Sequence, residues 1–159
     1  MSISKVLAID PGPKESAYVI WDNKEIHWAV ILGNEFLLER LYQTDPKSIY
    51  LVQEEVQSYG MPVGKDVFET VYWTGVFAEA FRKGDLTAHF ARLPRKAIKL
   101  HLCNSLRAKD SNIRQALIDR FGLPGTKKAP GLTYGLKKDL WQAFALAVTY
   151  HDLYFCDSA

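Results

Sequence analysis

The chain has 159 residues, of which 48% are hydrophobic and 13% aromatic. That length holds one domain with a sizeable core, and the composition excludes a disordered chain, a collagen and a disulfide scaffold. The net charge of +2 hides a partition: residues 1–81 sum to −6, residues 82–138 to +11 and residues 139–159 to −3. A basic block between acidic flanks suits a polyanionic partner; the plainer account is a solvated Lys/Arg face.

Cys103 and Cys156 form no Cys-x-x-Cys pair. This argues against zinc or thioredoxin-like chemistry and for buried thiols in a reducing compartment. The apolar run before Asp10 is too short for a signal-peptide core. No stretch reaches the ~20 apolar residues of a membrane span. A soluble cytoplasmic protein without membrane contact is expected.

Lys5 to Ile9 is an apolar strand stopped by Asp10-Pro11-Gly12-Pro13. Ser16 to Trp21 is a second strand, Asp22-Asn23-Lys24 a tight turn, and Glu25 to Leu32 a third strand. Asn34 to Tyr42 reads as a helix with Phe36, Leu37 and Leu41 on one side, broken by Asp45-Pro46. Ser48 to Gln53 is a strand ending at Glu54-Glu55, and Asp66 is positioned to cap a helix that runs to about Lys83 and is ended by Gly84. Thr87 to Leu93 is the last strand, and Pro94 opens a helix through Leu102.

Asp110 or Ser111 caps an amphipathic helix carrying Ile113, Ala116, Leu117 and Phe121. Residues 122–136 form a Gly/Pro-rich basic loop, and a final helix starts near Asp139 with Leu140, Phe144, Ala147 and Val148 as its buried stripe. The order implies a single α/β domain over residues 1–159, with a mixed five-stranded sheet and helices on both faces.

Three carboxylates stand where chemistry is expected. Asp10 ends an apolar strand at the carboxyl edge of the sheet, where open α/β sheets bind ligands. Gly12 permits close approach of a backbone or phosphate, although Asp-Pro-Gly is also an ordinary turn. Glu54 and Glu55 end another strand, and alternation lets only one of them face Asp10. Asp139 lies at a helix start, where an N-cap is the competing account. Together they can converge on Mg²⁺ or Mn²⁺, which take oxygen ligands, and a pair of such ions can drive phosphodiester hydrolysis.

Leu7-Ala8-Ile9-Asp10-Pro11-Gly12, Val52-Gln53-Glu54-Glu55-Val56 and Lys138-Asp139-Leu140-Trp141-Gln142-Ala143-Phe144-Ala145-Leu146-Ala147 occur in that order. Ser58-Tyr59-Gly60-Met61 and Gly64-Lys65-Asp66-Val67-Phe68-Glu69-Thr70 follow the second of them. The set resembles the RuvC-like Holliday junction resolvases of the RNase H-like superfamily, in their short phage and prophage form. The resemblance implies a metal-dependent endonuclease that cuts four-way DNA junctions symmetrically as a homodimer and leaves 5′-phosphate ends. It implies Asp10, Glu54 and Asp139 as catalytic metal ligands for two Mg²⁺ or Mn²⁺ ions, with no nucleotide cofactor.

The family's final helix carries a second acid one turn after the first; here Gln142 stands there, an uncharged oxygen donor. Asp152 is roughly 20 Å further along that helix, too distant to substitute. The resemblance also implies a catalytic Lys before the amphipathic helix. Lys109 is the nearest match, with Arg107 the alternative and a solvated lysine the plain account. Arg92, Arg95, Lys96, Lys99, Arg107, Lys127, Lys128 and Lys138 are the expected DNA contacts. Tyr59 is expected either to stack on a junction base or to pack as a lid. His89, His101 and His151 receive no role.

Competing functions are an RNase H-like nuclease acting on flaps, forks or RNA, and a junction-binding protein weakened in catalysis by Gln142. An actin-like or sugar-kinase ATPase ranks last, because one domain is too short for two lobes.

Overall fold

Alternation along the first strand sets the architecture. A computed structural model describes residues 4–155. Strand β1 (Val6–Asp10) is central in a five-stranded sheet of order β3-β2-β1-β4-β5. It pairs antiparallel with β2 (Glu15–Trp21), which pairs antiparallel with β3 (Ile26–Gly33). On its other side β1 pairs parallel with β4 (Tyr50–Glu55), and β4 pairs parallel with β5 (Phe90–Pro94). This is the expected meander followed by strand–helix alternation.

The two sheet faces carry separate cores. Leu7, Ile9, Tyr18 and Leu51 face α1 (Asn34–Gln43) and α2 (Lys65–Arg82), where Leu37, Leu41, Phe77 and Phe81 are fully buried. Val6, Ala8, Val19 and Val52 face α5 (Leu140–Tyr154), flanked by α3 (Arg95–Cys103) and α4 (Asp110–Phe121). Trp21, Phe121 and Phe144 interlock there with ring centroids 5.1–5.5 Å apart.

Four expectations need correction. Helix α5 is buried on all sides from Leu140 to His151, not along one stripe, because Leu132 and Leu136 of the preceding loop cover what the sheet, α3 and α4 leave open. Phe36 is 69% exposed, its ring lying against Gly33 and not in the core. Helix α2 is capped at Gly64, so Asp66 falls in its first turn and caps nothing. Cys103 is a free thiol that is half-buried, while Cys156 lies outside the described residues. No described helix is long and apolar enough to cross a membrane.

Candidate metal and nucleic-acid site

Parallel pairing places Ile9 opposite Gln53, so the next residues, Asp10 and Glu54, end adjacent strands side by side. Both share the parity of Ala8 and Val52, which lie under α5. Gln53, on the opposite face, donates from Nε2 to the Thr74 carbonyl of α2 at 3.0 Å. Glu54 is therefore the glutamate that faces Asp10's side.

The turn after Asp10 is fixed by its own network. A Cβ on Gly12 would meet the Glu15 carbonyl oxygen at 2.3 Å, so only glycine fits. The Gly12 N–H donates to Ser16 Oγ at 3.1 Å, and Ser16 Oγ donates to Asn34 Oδ1 at 2.7 Å. Asn34 Nδ2 closes the loop on the Gly12 carbonyl at 2.9 Å. Buried, satisfied polar groups of this kind hold a single geometry.

Asp139 occupies the N-cap position of α5, but its side chain makes no capping hydrogen bond. Its exposed carboxylate is thus available to the site, contrary to the cap account. Gln142, one turn on, is 7% exposed, and its Oε1 is buried with no hydrogen-bond partner. Asp139, Gln142, Lys138, Arg114 and Asp110 line an open cavity of about 630 Å³ between the starts of α4 and α5.

The carboxylates repel one another. Burial pushes the Asp10 carboxyl well above the usual range, and Glu54, Asp139 and Asp110 push it further, against relief from Arg95. Glu54 is also raised by burial and by Asp110 and Asp139, with Arg95 opposing. Arg95 Nη1 lies 3.3 Å from Glu54 Oε2, and Nη2 bonds Asp110 Oδ1. One guanidinium bridges two carboxylates that belong to different elements.

Sequence reasoning missed this bridge. Arg95 is expected on DNA, yet it turns inward and is 24% exposed. Asp110 is expected as a cap, yet Lys109 takes the N-cap position, its N–H donating to Asn112 Oδ1 at 2.8 Å. An Asp opening a helix gives no signal in sequence that separates cap from ligand.

Of the remaining candidates, Lys109 and Arg107 are exposed just before α4, and Lys96 is exposed and Lys99 half-buried on α3. Arg92 is exposed on β5, pointing to the face opposite Leu93. Lys127 and Lys128 are exposed in the loop pinned by the Gly125–Pro130 bridge, and Tyr59 is 73% exposed after β4. Asp152 is engaged elsewhere, pairing with Arg120 at 2.5 Å and His101 at 2.7 Å.

All the donors at the sheet edge are oxygens, and carboxylate repulsion there is only partly relieved by Arg95. Both properties fit a hard divalent cation. The tightest described group of possible ligands lies elsewhere: Asp22, Glu25 and His27 have ligand atoms within 4.8 Å of one another. That group sits at the opposite end of β2 from Asp10's partner Ala17. There Asp22 accepts the Lys24 and Glu25 N–H groups and His27 Nε2, so it serves the turn.

No protein-family model matches the sequence, and no curated protein does. Solved structures do match in fold. A Thermus thermophilus RuvC structure aligns at TM-score 0.65 and 16% identity, over 95% of each chain. Thermus thermophilus RuvC in complex with a Holliday junction substrate aligns at TM-score 0.62 and 17% identity, over 92% of each chain. The fold is RuvC-like, within the RNase H-like architecture.

Proposed function

We propose that this chain is a divalent-metal-dependent, structure-selective endonuclease that cuts four-way DNA junctions by symmetric phosphodiester hydrolysis. The reading is supported by the mutual electrostatic influence of Asp10, Glu54 and Asp139, on a fold shared with a protein solved on a Holliday junction substrate. Asp10, Glu54 and Asp139 would hold Mg²⁺ or Mn²⁺, with Gln142 offering a neutral oxygen. Such ions, when bound, activate water and stabilise charge on the scissile phosphate.

The chain's own residues supply binding and position. Lys96, Lys99, Arg107, Lys127, Lys128 and Lys138 neutralise phosphates of the DNA arms, with Arg92 at the outer edge. Lys109, exposed next to Asp110, offers a cation to charge developing on the phosphate. Tyr59 offers a stacking surface to an unpaired base. Asp10 stays fixed because the Ser16–Asn34–Gly12 network holds its turn.

A symmetric junction requires two sites, and the protein acts as a homodimer. The exposed apolar row Phe68, Val71 and Tyr72 on α2 supports a second copy there. Function is cytoplasmic, in the setting of a phage or prophage.

Cleavage of end-labelled substrates with Mg²⁺ or Mn²⁺ tests the selectivity. The four-way junction is expected to be cut in preference to a flap, a fork, linear duplex and an RNA–DNA hybrid. Equal cutting of all of them defeats the resolvase reading. Tight junction binding without cleavage under either metal supports a binding-only protein, the reading that uncharged Gln142 favours.

A further inference from the structure

We propose that Asp110, on α4, supplies the fourth carboxylate of the divalent-cation site, with Gln142 contributing only its neutral amide oxygen. The proposal rests on the metal-dependent reading above and extends it to a residue on a different helix.

Three observations support a cation site among these groups. Arg95 bridges Glu54 and Asp110 with a single guanidinium, so a position that already accepts positive charge lies between a β4 and an α4 carboxylate. Asp110 lines the same cavity as Asp139 and Gln142. Independently, Gln142 is 7% exposed and its Oε1 has no hydrogen-bond partner. A buried amide oxygen left unpaired is costly, and a bound cation or its water would satisfy it. Carboxylates joined by one neutral oxygen form a donor set suited to a hard divalent ion.

Helix capping does not occupy Asp110; its ion-pair partner is Arg95, the residue a bound cation would displace. Lys109 takes the N-cap position, and Asn112 Oδ1 accepts the Lys109 N–H. The Asp110 carboxylate is therefore not needed at the helix end, and it is 69% exposed beside the cavity it lines. With Asp110 the proposed site has four carboxylates, Asp10, Glu54, Asp110 and Asp139, whose charges act on one another.

Titration of the full chain with Mn²⁺, followed by the electron paramagnetic resonance signal of free Mn²⁺, counts bound ions without DNA or turnover. The parent protein is expected to bind two ions. Asp110→Asn is expected to keep one and to bind the second at least about tenfold more weakly. Adding Gln142→Glu to Asp110→Asn places a carboxylate on α5 and is expected to restore the second ion, which a structural role for Asp110 would not predict. Unchanged Mn²⁺ binding by Asp110→Asn, or failure of the double variant to recover it while circular dichroism shows a native fold, overturns the assignment. If the parent binds no Mn²⁺, or Asp10→Asn binds it as the parent does, the metal-site reading itself fails.

Discussion

Replacing Arg95 with Gln removes the guanidinium that bridges Glu54 and Asp110. At 3.3 Å and an effective dielectric of about 20, the attraction to Glu54 alone is ~5 kcal/mol. Most of that is offset by desolvation, because Arg95 and Glu54 side chains are only 24% and 14% exposed. A net loss of about 2 kcal/mol follows, between the values for exposed and for buried pairs. For a chain of this length it lowers Tm by roughly 4–8 °C. Scanning calorimetry in EDTA measures it directly. With saturating Mn²⁺ the deficit is expected to close, because Arg95 and the ion serve the same carboxylates and no longer compete. Equal Tm values in EDTA, or a deficit that Mn²⁺ leaves untouched, refute the idea that Arg95 is the counter-ion of the metal-binding carboxylates.

Asp10 is raised above the ordinary carboxylate range by burial and by its acidic neighbours, so its ionisation opposes folding. Without added metal, stability is expected to fall as pH rises from the unfolded carboxylate pKa through the folded one. Asp10→Asn should lose that slope in Tm-against-pH scans, and its advantage over the parent should grow toward neutral pH. Asp22 runs the other way: its carboxyl is lowered to about 2 by the Glu25 N–H, His27 and the Lys24 N–H. Its stabilisation is present above the unfolded pKa and fades as pH drops toward that value, a loss that acid unfolding of Asp22→Asn should lack. Asn34→Ala removes a buried side chain bonded to Ser16 and Gly12, and urea unfolding is expected to show a loss of about 1–3 kcal/mol. Replacing Lys127 and Lys128 together with Ala should lower the salt dependence of junction binding by about 0.9 per lost phosphate contact, read from log K against log salt.

Much of the site was legible because its carboxylates end strands. The apolar runs into Asp10 and Glu54 mark two strands, and alternation makes one of each neighbouring pair face the same side. The sheet confirms that logic through the pairing of Ile9 with Gln53. The first core layers followed from the same alternation.

Helix faces were harder to read. Phe36 and Leu37 are adjacent apolar residues, and only tertiary packing decides that Leu37 is buried while Phe36 lies on Gly33. Helix α5 reads as amphipathic until the loop carrying Leu132 and Leu136 folds over it. Arg95 and Asp110 are 15 residues apart in sequence, and the Arg95 bridge from Glu54 to Asp110 depends on α3 starting beside the end of β4 and packing against α4. No local pattern encodes such a contact.

The most direct test of the central claim is strand-resolved nicking of a synthetic four-way junction by the parent, Asp10→Asn and Glu54→Gln proteins, each with Mg²⁺, Mn²⁺ or EDTA. Paired, symmetric nicks by the parent that require metal and vanish in both variants are the predicted result. Cleavage that survives loss of Asp10 or proceeds in EDTA would contradict the account.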